Sequence, residues 1–171
     1  MKKTSLILAS SLLMLGVSTQ TNAQVSKYGV TVETCGYDYD EEDFCTDKLL
    51  RNYAKVLKNR KANFNNNKIL YIFETSESGY AGKKPYRMVV INKDTKKVSP
   101  LRYAFSEAHD GTGKKVAINN KGEAIQFDFS PKSDKFCFSG TIDAYRDSYG
   151  YQDGPFCFKY DKEDDGLIRQ Y

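Results

Sequence analysis

Hydrophobic and polar positions follow two different periods along this chain, and the change of period predicts its elements. Apolar residues recur at spacings of three and four in one segment, at Leu49, Leu50, Tyr53, Val56 and Leu57. This pattern predicts one amphipathic helix over residues 47–59. Thr46 is a predicted N-cap, and Asp47 is favourable at the positive end of the helix. The asparagine-rich stretch 63–67 is expected to end it.

Strand character dominates the rest of the chain. The predicted strands cover residues 28–33, 68–75, 86–91, 98–105, 116–118, 123–129, 135–139, 141–145 and 156–160. Turn-forming residues separate them, as in 92–95 and 130–134. Pro100 predicts that its strand lies at a sheet edge or contains a bulge. The polar tail 161–171 is predicted to be loose.

These elements predict a mainly β fold of the α+β class. The expected architecture is a curled antiparallel β-meander of about seven to nine strands, with one N-terminal amphipathic helix packed on it. A four-bladed propeller is excluded, because its blades alone would need about 160 residues.

The first 23 residues have the three-part pattern of a bacterial secretory signal peptide. Lys2 and Lys3 form a positive start, residues 6–17 form a short apolar run, and residues 21–23 form a small-residue cleavage site before Gln24. The run is shorter than the roughly 20 apolar residues that span a membrane. The sequence therefore predicts a signal peptide over 1–23, cleavage near Ala23, and a single β-rich domain over 24–171.

Removing this leader changes the charge balance. The 26 basic residues become 24 against 22 acidic ones, so the formal charge falls from +4 to +2. A basic surface suited to nucleic acid is therefore not predicted. No second apolar run approaches membrane-spanning length, so membrane insertion is not expected either. The predicted location is the periplasm or the extracellular medium.

An even set of four cysteines fits an exported chain. Cys35, Cys45, Cys137 and Cys157 allow three pairings. The two short rings Cys35–Cys45 and Cys137–Cys157 are favoured, and each would contribute about 3 kcal/mol by the loop-entropy argument. A zinc site is disfavoured, because the chain has no C-x-x-C spacing and one histidine. No metal ligands and no cofactor are predicted.

Catalytic chemistry has no clear signature in the sequence. His109 is expected to be a surface loop residue, since no G-x-S-x-G motif accompanies it. The loop Asp38–Asp43 carries five acidic groups in six residues. An EF-hand would need glycine where Asp43 stands, so a solvated acidic loop is the default, with calcium or a protein contact as alternatives. No catalytic residues are predicted.

The tyrosine-rich segment 145–154 is the candidate binding region, because it would lie inside the Cys137–Cys157 ring. Its composition is typical of binding loops, and a covalent ring would lower the entropy cost of binding. An ordinary polar hairpin loop whose tyrosines pack on the sheet is the alternative. The candidate binding residues are Tyr145, Arg146, Asp147, Tyr149, Tyr151 and Asp153.

Two segments carry a resemblance to known proteins. Residues 63–70 (Asn-Phe-Asn-Asn-Asn-Lys-Ile-Leu) and 89–98 (Val-Val-Ile-Asn-Lys-Asp-Thr-Lys-Lys-Val) resemble a pattern in small exported Gram-negative proteins with a short helix before a β-meander. Some of these are similar in build to periplasmic immunity proteins and lysozyme inhibitors, which block cell-wall enzymes with a loop. The resemblance covers about residues 60–140 and supplies no functional residue.

Together these patterns predict an exported, non-enzymatic binding protein. The resemblance implies a periplasmic inhibitor or immunity protein, with a cell-wall-active enzyme or a toxin as its partner. The ringed Tyr-rich loop is expected to contact that partner. An envelope structural or small-ligand-binding module is the first alternative, and an enzyme acting on envelope glycans or peptides is the second. The sequence leaves the oligomeric state open.

Overall fold

A computed structural model describes residues 24–37, 42–75, 84–144, 147–151 and 155–171, with the side chains of 143–154 outside that description. The first strands and the helix are β1 (Val25–Lys27), β2 (Val30–Val32), α1 (Asp47–Asn59), β3 (Lys68–Glu74), β4 (Tyr86–Asn92), β5 (Lys97–Pro100) and β6 (Ala104–Ser106). The remaining strands are β7 (Gln126–Asp128), β8 (Lys135–Ser139), β9 (Thr141–Ala144), β10 (Asp147–Tyr151), β11 (Phe156–Asp161) and β12 (Gly166–Gln170). The predicted signal peptide lies outside the described residues.

The strands form two sheets. The first sheet has the order β1-β2-β5-β4-β6-β9-β10, with β3 on the other edge of β4. The second sheet has the order β12-β11-β8-β7. Helix α1 packs on one face of the first sheet, and the second sheet packs on its other face. The fold is therefore three layers deep around its central sheet.

Alternation along β4 shows why the central sheet is buried on both faces. Val89 and Ile91 point to the helix, whereas Met88 and Val90 point to the second sheet. All four side chains are at most 1% exposed. Because successive side chains of a strand point to opposite faces, a strand covered on both sides must be apolar throughout.

Helix α1 confirms the predicted bounds and cap. It spans Asp47–Asn59, and the Thr46 hydroxyl accepts a hydrogen bond from the Leu49 N–H at 3.3 Å. The expectation of an N-terminal helix is wrong, because β1 and β2 precede it. This hairpin was missed because its turn contains Tyr28 in a left-handed conformation (φ 55°), which a non-glycine residue seldom adopts.

The first turn of α1 is tied to that hairpin through Asp47. The Asp47 carboxylate accepts hydrogen bonds from Lys27 Nζ at 2.5 Å, the Tyr28 hydroxyl at 2.9 Å and Arg51 Nε at 3.0 Å. These donors, Lys27 first, lower the pKa of Asp47 from its ordinary 3.8 to about 2. A depressed carboxyl pKa stabilises the fold above pH 3.8, and that contribution is lost as the pH falls toward 2.

We expect an NMR titration of the Asp47 carboxyl to give a midpoint near pH 2. Lys27→Gln removes the leading donor, so the midpoint should rise toward 3.8. Lys48→Gln is the control. Lys48 follows Asp47 in the chain and is exposed, but its side chain makes no hydrogen bond to Asp47, so its loss should shift the midpoint much less. Equal shifts in the two variants would show that general charge, not the hydrogen bond, sets this pKa.

The predicted antiparallel meander is corrected in two respects. The strands are divided between two sheets rather than one, and β2 pairs with β5 in parallel. The Thr31 N–H donates to the Lys96 carbonyl and the Glu33 N–H to the Val98 carbonyl, at 3.0 and 3.1 Å. This pairing joins segments more than 60 residues apart, so no turn between neighbouring strands indicates it.

Three further predictions along the chain also differ from the structure. The strand predicted over 98–105 is interrupted directly after Pro100, since β5 ends there and β6 begins at Ala104. Residues 116–118 are not a strand, and Val116 is 40% exposed rather than packed in the core. The tail expected to be loose forms β12, which pairs with β11 over five residue pairs.

Both disulfides have the pairing that the sequence favours, Cys35–Cys45 and Cys137–Cys157. The second joins directly opposite residues of β8 and β11. Between them the chain passes at Gly140 from the second sheet into β9 of the first. This disulfide therefore closes the base of an excursion from one sheet to the other.

We expect Gly140→Ala to destabilise the protein by about 1–3 kcal/mol or more. The glycine has φ 144°, and an added Cβ would lie 2.6 Å from the Ser106 carbonyl oxygen and 2.7 Å from the Phe138 ring. The midpoint of urea unfolding reports the change. Gly122→Ala is the control, because its φ of 77° is also positive but nothing lies within 4 Å of its Cβ. Similar losses in both variants would rule out the steric argument.

Candidate functional site

A surface cleft of about 300 Å³ lies between the two sheets, where the interrupted strand β5–β6 faces β12. The first sheet contributes residues 100–103 and the second contributes residues 167–169 and 171. Tyr37 closes one side. The cleft therefore exists only where the two sheets meet, and no single segment of sequence contains it.

The first wall is the segment that follows Pro100. The Leu101 N–H donates to the Met88 carbonyl at 2.9 Å, and the Leu101 side chain is buried. This anchor leaves Arg102 exposed and brings the Tyr103 ring to 5.5 Å from the Phe158 ring, between centroids. Strand β5 ends at Pro100, and the side chains of Arg102 and Tyr103 beyond this bond line the cleft.

The second wall is β12. Arg169 lies opposite Phe158 of β11, so its side chain is on the inner face of the sheet. Its guanidinium lies 5.2 Å from the centre of the Phe156 ring, 5.0 Å from that of Tyr171 and 5.9 Å from that of Tyr103. Such distances permit cation–π attraction, so the aromatic rings hold this charge at the cleft.

Arg102 brings a second positive charge to the same ring. Its guanidinium also lies 5.9 Å from the centre of Tyr103. Within the described part of the chain, neither Arg102 nor Arg169 forms an ion pair with a carboxylate. An arginine presents a planar set of N–H donors that fits a carboxylate, and it is enriched with tyrosine at binding hot spots. The cleft can therefore bind an anionic group next to an apolar surface.

The Cys35–Cys45 ring supports the remaining side. The Tyr37 hydroxyl donates to the Pro100 carbonyl at 2.5 Å, and its ring meets Phe44 edge-on at 6.1 Å. The Phe44 N–H in turn donates to the Cys35 carbonyl at 2.7 Å. This disulfide thus holds Tyr37 against the first wall.

A buried polar network fixes the second wall to the first sheet. Asp165, 7% exposed, accepts two hydrogen bonds from Asn92 Nδ2, at 2.7 and 3.0 Å, and one from the Tyr160 hydroxyl. Asn92 Oδ1 also accepts from the N–H groups of Asp94 and Thr95. Burial, and then the bond to Asp165, raise the pKa of Tyr160. The β4–β5 turn is therefore joined to the β11–β12 turn beside the cleft.

The acidic loop is only partly solvated. Residues 38–41 lie outside the described residues, but Glu42 is 8% exposed. Burial, followed by the charge of Glu42, raises the pKa of Tyr53. Asp43 is exposed, and its carboxylate accepts the Cys45 N–H at 2.8 Å. The expectation of a solvated loop is therefore wrong at Glu42, which is buried and close enough to Tyr53 of the helix to affect its pKa.

One candidate metal group is present among the described residues, formed by Cys35, Asp43 and Cys45. Both sulfurs are bonded to each other, so neither is a thiolate that could bind a metal. His109 is a half-buried loop residue whose backbone bridges to Lys115. Neither the Cys35–Asp43–Cys45 cluster nor the His109 loop places a nucleophile beside a base among the described residues.

Three of the six predicted binding residues fall on the edge strand at one end of the first sheet. The backbone of Asp147, Tyr149 and Tyr151 is part of β10, which pairs with β9 through a register irregularity. This part of the predicted loop is therefore a strand. Their side chains, and residues 145, 146 and 153, lie outside the described residues. The binding role of this segment stays a prediction.

Sequence reasoning missed the cleft, although a local signal was present. Leu167, Arg169 and Tyr171 alternate with Ile168 and Gln170. This period of two could have identified β12 within the tail and placed an arginine and a tyrosine on one face. No sequence pattern, however, places that face opposite Arg102 and Tyr103.

Comparisons of the chain with protein-family models, with curated proteins and with solved structures give no match. The described part of the chain has no helix with the length and apolar character needed to cross a membrane.

Proposed function

We propose that this chain is an exported, non-enzymatic binding protein that holds or blocks a partner protein through the cleft. The observation that carries this proposal is the pair of arginines, Arg102 and Arg169, presented on aromatic rings without a carboxylate partner in the described structure. Unpaired guanidiniums at the mouth of an apolar cleft are typical of surfaces that bind an acidic group.

Export is supported by two independent features. Two disulfides are typical of proteins that fold in an oxidising, exported compartment. Residues 1–23 have the order of a signal peptide, with cleavage expected near Ala23. We place the protein in the periplasm, where an inhibitor or immunity protein would meet a cell-wall-active enzyme or a toxin. The Tyr-rich residues 145–153 would supply a second contact with that partner.

Fractionation combined with pull-down tests this function. The exported fraction should contain a chain that begins near Gln24, and the protein with its disulfides formed should retain one partner in a stoichiometric amount. An uncleaved chain in the cytoplasm would contradict export. Recovery of no stoichiometric protein partner from envelope extract would contradict the binding function.

Binding of a small anionic ligand is a second candidate. The cleft volume of about 300 Å³ is at the lower end of the range for ligand pockets, so a small carboxylate with an apolar body would fit. Mass spectrometry of the protein under non-denaturing conditions separates the two candidates. A retained small molecule would favour the second, and a retained protein would favour the first.

A further inference from the structure

We propose that the partner binds as an extended segment that pairs with the free edge of β12 and places an acidic side chain beside Arg169. This inference rests on the proposed function and specifies how the cleft is used. Three observations carry it: the position of β12 in its sheet, the direction of its backbone groups, and the charges on its inner face.

Strand β12 is an edge strand, since it pairs only with β11 among the described strands. The direction of its N–H groups follows from β11. The Tyr160 N–H donates to the Asp134 carbonyl at 2.8 Å, on the side of β8, so the N–H groups of Lys159 and Asp161 point to β12. Their partners in register are Ile168 and Gly166.

The alternate residues of β12 must therefore direct their backbone outward. Leu167 and Arg169 lie between the inward-pointing residues, so their N–H and C=O groups face away from β11. Within the described residues these groups have no other backbone partner. An unpaired row of donors and acceptors is the surface to which an extended peptide adds as a further strand.

The side chains determine which segment fits. In an added strand, the residue opposite Arg169 would place its side chain on the same face as Arg169. That face lies against the cleft, with Tyr103 and the exposed Arg102 across from it. An Asp or Glu at that position would meet Arg169 directly and Arg102 from the opposite wall. The outer face carries Ile168, 48% exposed, which favours apolar or β-branched residues on either side of the acidic one.

Peptide selection followed by hydrogen exchange tests this inference on the full chain with its disulfides formed. From random peptides displayed on phage, we expect enrichment of segments with one Asp or Glu between β-branched or aromatic residues. A synthetic peptide of the enriched sequence should slow exchange of the Leu167 and Arg169 amides. The Ile168 and Gln170 amides are the internal control, because they already point to β11.

Variants give a second, independent measurement. Replacing the acidic residue of the peptide by its amide, or making Arg169→Gln, should weaken binding at least tenfold. Arg102→Gln should act in the same direction and keeps the claim testable if Arg169→Gln disturbs folding. Arg60→Gln, an exposed arginine at the end of α1, should leave binding unchanged.

Four results would overturn this inference. The first two are selection of peptides that lack an acidic residue, and peptide binding that leaves the Leu167 and Arg169 amides unprotected. The third is equal affinity of the peptide for Arg169→Gln and for the wild type. The fourth is a dimer of this chain, seen in sedimentation, that protects these amides without any peptide. A partner captured stoichiometrically without protection of the two amides would leave the proposed function standing and refute edge pairing. Acidic peptides that bind at β12, with no partner protein captured, would support edge pairing and refute the proposed function.

Discussion

Phe105→Ala should cost about 3–5 kcal/mol of the free energy of unfolding, the range for removing a fully buried phenylalanine. Phe105 is fully buried on β6 of the first sheet. Its ring centre lies 4.5–6.4 Å from those of four phenylalanines of the second sheet, namely Phe127, Phe136, Phe138 and Phe158. A loss of this size is a large share of the roughly 5–15 kcal/mol that stabilises an ordinary domain.

Urea unfolding of Phe105→Ala and Phe129→Ala compares the loss of free energy at Phe105 with the loss at a less buried phenylalanine. Phe129 is half-buried and lies 6.2 Å from Phe136, so its removal should cost less than half as much. The two midpoints should differ while the slopes stay equal. Equal losses would mean that the two sheets are not held together through Phe105.

Asp165→Ala should have an effect of similar size, about 3–5 kcal/mol, for a different reason. The substitution leaves the buried Asn92 amide and the Tyr160 hydroxyl without their acceptor. Asp165 also has φ 51°, a conformation that alanine adopts at a cost of about 1 kcal/mol. Because this carboxylate joins the β11–β12 turn to the β4–β5 turn, its loss should also loosen β12.

Asp164→Ala is the matched control, since Asp164 is exposed in the same turn. We expect a change within about 0.5 kcal/mol. Asp165→Asn keeps the size and the backbone preference but provides one acceptor oxygen, so it should fall between the two. Thermal unfolding measures all three variants. A loss at Asp165→Ala no larger than at Asp164→Ala would show that the buried network contributes little.

Much of the local structure could be predicted because it depends on neighbouring residues. The period of α1, the Thr46 cap and the apolar strand β3 are each encoded within a few positions. The two disulfides followed from short rings in a chain for which the sequence predicts export. Such features need no knowledge of the other half of the chain.

The division into two sheets and the cleft could not be predicted in the same way. The parallel pair β2–β5 and the contact of Tyr103 with Arg169 join residues that are distant in sequence. Pro100 predicted a sheet edge or a bulge in its strand, but not that the strand would be interrupted there and face β12. The buried Asn92 belongs to a segment that the sequence predicts as a polar turn, and the buried Asp165 stands in a polar turn, so sequence alone indicates exposure for both.

Titration of the captured partner into three forms of the protein tests the central claim, that the cleft is the binding surface. The forms are the wild type, the double variant Arg102→Gln/Arg169→Gln, and Arg60→Gln, which removes one positive charge outside the cleft. Hydrogen bonds to charged groups contribute about 1.5–3 kcal/mol each, so the double variant should bind at least about 100-fold more weakly. Arg60→Gln should stay within about twofold of the wild type, since rim charges far from the contact change affinity little. Equal dissociation constants for the double variant and the wild type would contradict the account.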